Sequence, residues 1–168
     1  MIKGLLCILA LTVAVQAKQD TASDVGHFIH GFARGALNED IPALLNCFDD
    51  AQELFNEINI IVKDLENHDA AHIIDAVAHL GNLFQQIPKY INDCQGVPQQ
   101  TKDTFKKLAD TFSNPGKVAT QVAKALLFNA KKIWNDANAA VSDFKNHNYD
   151  NAGYDVGDIV KIIFLKRR

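Results

Sequence analysis

The chain has 168 residues, 48% of them hydrophobic, with 17 basic against 20 acidic side chains and a net charge of -3. That hydrophobic share excludes a disordered chain, and the length suits one domain with a full core. A mildly acidic balance is a poor basis for nucleic-acid binding, which depends on neutralising phosphates, so no nucleic-acid partner is expected.

Residues Met1 to Ala17 read as a cleavable signal peptide. Lys3 supplies the positive start, Leu5 to Val15 is almost wholly apolar, and Val15-Gln16-Ala17 places small residues at a cleavage site. The apolar stretch is shorter than the roughly 20 residues that a membrane span requires. A secreted protein is therefore expected, outside the cell or in the lumen of the secretory pathway, with residues 18–168 as a single all-α domain. Cys7 leaves with the leader, so Cys47 and Cys94 remain as an isolated pair, most simply one intrachain disulfide.

Helical periodicity runs through nearly all of the remaining chain, and about six helices are expected. The first spans about Ser23 to Leu37 and turns Phe28, Ile29, Phe32, Ala33 and Ala36 inward. From Leu44 the apolar positions Phe48, Ala51, Phe55, Ile58, Val62 and Leu65 alternate steps of four and three. This predicts an amphipathic helix of about six turns with Pro42 in its first turn. Asn67-His68 interrupts the pattern, and Asn67 is a candidate cap for a second long helix, kinked at Pro88 and running to Cys94. A short turn between the two predicts an antiparallel hairpin, which would bring Cys47 and Cys94 together. A shorter helix follows over about Thr101 to Phe112, then a long one over about Val118 to Phe144. Asn146 is a candidate cap for the last, which starts near Asp150 and runs to the end of the chain.

Segments about eighty positions apart resemble each other: Val62-Lys63-Asp64-Leu65-Glu66-Asn67-His68 and Val141-Ser142-Asp143-Phe144-Lys145-Asn146-His147. The expected architecture is a helical bundle of two copies, roughly 20–95 and 100–168, each built as short helix, long helix, long helix. A cavity between the copies, lined by some of the ten phenylalanines, would suit a hydrophobic ligand.

Three constellations stand out. His68, His72, Asp75 and His79 fall in one stripe of the second long helix, a spacing at which imidazoles and a carboxylate can bind zinc or copper. The outer pair is about 16 Å apart along a helix, too far for one coordination shell, and the stripe lies opposite the apolar face. A solvated polar face that charges as pH falls is favoured over a metal site, and no cofactor is expected. Gly31-x-x-x-Gly35 and Gly153-x-x-x-Gly157 predict tight helix crossings, since glycine otherwise weakens a helix by about 1 kcal/mol. At the C-terminus, Ile163 and Phe164 followed by Lys166, Arg167 and Arg168 form a candidate membrane or partner contact, although a final core helix whose cations face its C-terminal dipole is the favoured reading.

The sequence lacks Gly-x-Ser-x-Gly, His-Glu-x-x-His, P-loop and EF-hand patterns, and no enzymatic activity is expected. The leading expectation is a secreted, non-enzymatic helical protein that binds a hydrophobic small molecule, a lipid surface or another protein. The alternatives are a structural or signalling bundle and a metal-binding protein that uses the histidine stripe.

Overall fold

The computed structural model describes residues 21–165. About 82% of the described residues are helical, with six helices longer than ten residues and no strand among them. The all-α bundle with one disulfide is thus what the chain forms. The expected signal peptide, Met1 to Ala17, lies outside the described residues, as do Lys166, Arg167 and Arg168.

Helix α1 (21–37) buries Val25, Phe28, Ile29, Phe32, Ala33 and Ala36 on one face. It ends where Asn38 takes a left-handed conformation (φ 55°), which a short polar side chain tolerates, and the Glu39 N–H closes on the Ala33 carbonyl. Pro42–Asn46 then forms a 3₁₀ turn, and α2 runs over Gln52–Leu65. The six-turn helix expected from Leu44 is therefore two pieces. Asp50 adopts φ 52° and redirects the chain between them, yet Leu44, Phe48 and Ala51 are all buried. The apolar spacing there recorded burial; it did not record continuous helix.

Helix α3 (Ala70–Gln86) packs antiparallel on α2 and buries Ile73, Val77, Leu80, Leu83 and Phe84. Its cap is Asp69, whose carboxylate accepts the His72 N–H at 2.9 Å; Asn67 instead donates back to the Lys63 carbonyl. Proline has no N–H to continue a helix, and a one-turn α4 (Pro88–Ile91) follows the break. Cys94 comes directly after it and is bonded to Cys47, with Cα atoms 5.8 Å apart.

Helix α5 (Gln99–Phe112) leads to α6 (Pro115–Lys145), which Asn114 caps by accepting the Lys117 N–H at 3.1 Å. Helix α6 has 31 residues and is kinked at Asn129, where the backbone leaves helical geometry (φ -131°, ψ 21°). Asn146 is the C-cap of α6 and so does not cap the following helix. A tight turn with His147 at φ 60° reverses the chain into α7 (Tyr149–Val160), and a π-helical turn, Lys161–Leu165, ends the described chain.

Phenylalanines hold the centre. Phe84 on α3 lies 4.7 Å from Phe32 of α1, 5.5 Å from Phe105 and 5.7 Å from Phe112 of α5, measured between ring centroids. Phe164 extends the chain of rings, 5.0 Å from Phe112. Rings expected to line a ligand cavity pack on one another instead, in the spacing that aromatic pairs prefer.

Candidate functional site

The four glycines set the position of everything charged near α1. Gly31 and Gly35 lie against the backbone of α7 at Asp150, Tyr154 and Asp158, while Gly153 and Gly157 lie against the backbone of α1 at Phe28, Phe32 and Ala36. A Cβ added at Gly31 would sit 1.8 Å from the Asp150 carbonyl oxygen, and one at Gly153 would sit 2.0 Å from that of Phe28. The two helices therefore touch backbone to backbone.

This crossing delivers Asp150, in the first turn of α7, to His30 on α1. His30 is 9% exposed, and both ring nitrogens face carboxylates: Nδ1 is 2.5 Å from Asp150 Oδ2 and Nε2 is 2.8 Å from Asp40 Oδ1. Arg34 Nη1 donates to the other Asp150 oxygen at 2.8 Å. Burial opposes charging His30, but the hydrogen bonds to Asp150 and Asp40 outweigh it and raise its pKa. The result is a charged latch joining α1, the loop after it and the start of α7.

A second polar group lies between α6 and α7. Lys132 donates to Asp136 at 2.7 Å and to Asp158 at 2.6 Å, and Lys161 pairs with Asp158 at 3.2 Å. Asp155 is pushed up to about 7 by burial and by sharing a hydrogen bond with Asp143. Burial also raises Asp136, against the pull of Lys132, and it raises Asp64, whose Oδ2 is buried without a hydrogen-bond partner.

These groups set an expected pH response. A group whose pKa is raised by folding holds its proton more tightly in the native state, so its stabilisation is complete below the unfolded pKa and is lost as pH rises. Asp155, Asp136 and Asp64 lose theirs from about pH 4 upward, Asp155 up to about 7, and His30 loses its share above about 6.5. Asp158, held low by Lys132 and Lys161 against its burial, acts in the opposite sense at lower pH. Melting should occur at a higher temperature near pH 5 than near pH 8, with about 2 kcal/mol at stake for Asp155 after solvent screening. Asp155→Asn should flatten that slope; a melting temperature that rises from about pH 5 to pH 8 would contradict the assignment.

The histidine stripe is dispersed among separate partners. His68 Nε2 lies 2.8 Å from Asn138 Oδ1 with its ring 5.4 Å from Trp134, His72 pairs with Asp69 at 2.7 Å, and His79 pairs with Glu57 at 3.0 Å. Asp75 is exposed. Among the described residues no three His, Cys, Asp or Glu side chains are gathered so as to hold a metal ion. The alternative of a metal site at His68, His72, Asp75 and His79 finds no assembled cluster among the described residues, because each imidazole turns toward its own neighbour. At the C-terminus Ile163 is buried and Phe164, partly buried, packs on Phe112, so both are turned to the core as a final core helix requires and neither is offered to a membrane or partner.

The sequence reading missed one exposed apolar feature. At the α6 kink Leu127 is 79% exposed and Phe128 67% exposed, the two largest exposures of big hydrophobic side chains among the described residues. Phe128 borders an open cleft of about 320 Å³ together with Asn129, Lys131, Lys132 and Asn135. The signal was present in the sequence: the buried stripe Val122, Ala125, Ile133 and Ala137 leaves Leu127 and Phe128 on the far side of the helix.

A protein-family model described as SctB-like, Secreted protein B-like, matches residues 9–165. The chain belongs to this SctB-like family of secreted proteins. It is also 28% identical over 155 residues to "Secreted protein A" of Dictyostelium discoideum, an alignment covering 84% of each chain. No solved structure matches it significantly. Membership of the SctB-like family agrees with export, and none of the helices in the described residues is long and apolar enough to cross a membrane. The family description carries no activity, so any reading beyond secretion rests on the site itself.

Proposed function

We propose that the protein is a non-enzymatic, secreted binding protein and that it meets its ligand at the surface, on the elbow of α6. Solvent exposure of Leu127 and Phe128 at the kink carries this reading. Burying a leucine or phenylalanine side chain is worth about 1.5–3 kcal/mol, so leaving two adjacent ones in water is a standing source of binding energy. The interior offers less support for a ligand, since Phe32, Phe84, Phe105 and Phe112 fill the centre against each other. The polar clusters at His30 and Lys132 tie helices together, and Lys132, although it borders the cleft, is held by Asp136 and Asp158.

The test is uptake of an uncharged solvatochromic dye such as Nile red by the folded mature protein. Leu127→Ser with Phe128→Ser should remove most of the fluorescence gain while leaving the helical circular dichroism and the melting temperature unchanged. Dye uptake that is equal in the double variant would refute a binding surface at the elbow.

A further inference from the structure

We infer that the α6 elbow docks on an anionic lipid bilayer. The inference rests on the surface-binding reading above and names its partner. From Thr111 to Asn135 the sequence contains Lys117, Lys124, Lys131 and Lys132 and no acidic residue, although the whole chain carries -3. Lys117, Lys124 and Lys131 recur every seven positions, two helical turns, and so share one side of α6 apart from the turn introduced at Asn129. Lys124 stands one turn before Leu127 and Phe128, and Lys131 borders the same cleft as Phe128 one turn after. All three lysines are exposed.

Lys132 is already engaged by Asp136 and Asp158. By contrast, among the described residues no salt bridge engages Lys117, Lys124 or Lys131. Two large apolar side chains between cations with no acidic partner match a bilayer interface, where acyl chains receive the apolar groups and anionic headgroups receive the ammonium groups. The same charges argue against a second copy of this chain at the elbow. Self-association there would set one lysine row against another around the apolar pair. The kink helps, because a bend at Asn129 lets the pair project as a wedge from the helix flank.

The experiment is co-sedimentation of the mature protein with phosphatidylcholine vesicles, with and without phosphatidylglycerol. Binding is expected to the anionic vesicles and to weaken strongly with added salt, which screens charges beyond about 8 Å at physiological ionic strength. Lys124→Gln with Lys131→Gln should weaken it roughly twenty-five-fold, about fivefold for each cation removed. Leu127→Ser with Phe128→Ser should weaken it by about tenfold or more. Four results would overturn the inference. Equal binding to neutral and anionic vesicles would remove the lysines from it. Anionic binding that survives Leu127→Ser with Phe128→Ser would place the contact elsewhere, for example at Lys166, Arg167 and Arg168. Concentration-dependent dimerisation abolished by that same variant would assign the elbow to a second copy. Nile red uptake at the elbow without any vesicle binding would sink the lipid partner and leave the surface reading standing.

Discussion

Gly153→Ala is expected to destabilise the protein by about 3 kcal/mol, although helix propensity alone predicts a gain of about 1 kcal/mol. The sign is decided by the crossing of α1 and α7. A Cβ at Gly153 would lie 2.0 Å from the Phe28 carbonyl oxygen and 3.0 Å from the Phe32 nitrogen. Those atoms are backbone within a helix and have no rotamer through which to retreat, so the helices must separate. Separation would also pull Asp150 from His30 and Arg34, adding lost charge-assisted hydrogen bonds to lost packing. Gly31→Ala should behave alike, since its Cβ would meet the Asp150 carbonyl. Gly116→Ala is the control: it sits in the first turn of α6, its Cβ would meet nothing nearer than Asn114 Oδ1 at 3.8 Å, and it should be neutral or slightly stabilising. Urea denaturation of the three variants reads the difference. If Gly153→Ala raises stability as Gly116→Ala does, the backbone-to-backbone crossing is wrong.

Those glycines also mark where the sequence was legible and where it was not. Periodicity is a local property, and it placed the long helix at about Val118 to Phe144, close to the Pro115–Lys145 of α6. It failed at residues 44–51 because Leu44, Phe48 and Ala51 are buried by a 3₁₀ turn and a left-handed Asp50 as effectively as by a helix. The histidine stripe drew notice because its members share one helix, whereas the latch at His30 joins residues 120 positions apart. No spacing rule reaches across that distance. The paired glycine motifs were the usable clue: a crossing at Gly31 and Gly153 puts the residues beside them, His30 and Asp150, within reach. Leu127 and Phe128 were visible as apolar residues off the main stripe of α6, and their exposure follows because the rest of the bundle covers that stripe. Phe164, beside its basic neighbours, could be read as core or as surface, and its packing on Phe112 sets it against the core.

Replacing both Cys47 and Cys94 by alanine is expected to cost about 4 kcal/mol, the chain-entropy value for residues separated by 47 positions in sequence. That is a large share of a stability of about 5–15 kcal/mol. The cost should arise mainly in the unfolded chain. In the folded state the α2–α3 hairpin already returns the end of α4 to the 3₁₀ turn, where the tilted rings of Phe48 and Tyr90 pack 5.7 Å apart near the bridge. Two consequences separate this account from one in which the bridge forces the native geometry. The double variant should keep the native circular dichroism and the full pH response of His30 and Asp155, because neither group lies on the bridged segment. Its unfolding should also depend more steeply on urea, since an unbridged chain expands further and exposes more surface. A variant that loses α2 and α3 while α1 and α7 stay packed would show instead that the hairpin depends on the bond. Because export supplies the oxidising compartment in which the bond persists, the same variant measures how much of the stability of this secreted fold is conferred by where it is delivered.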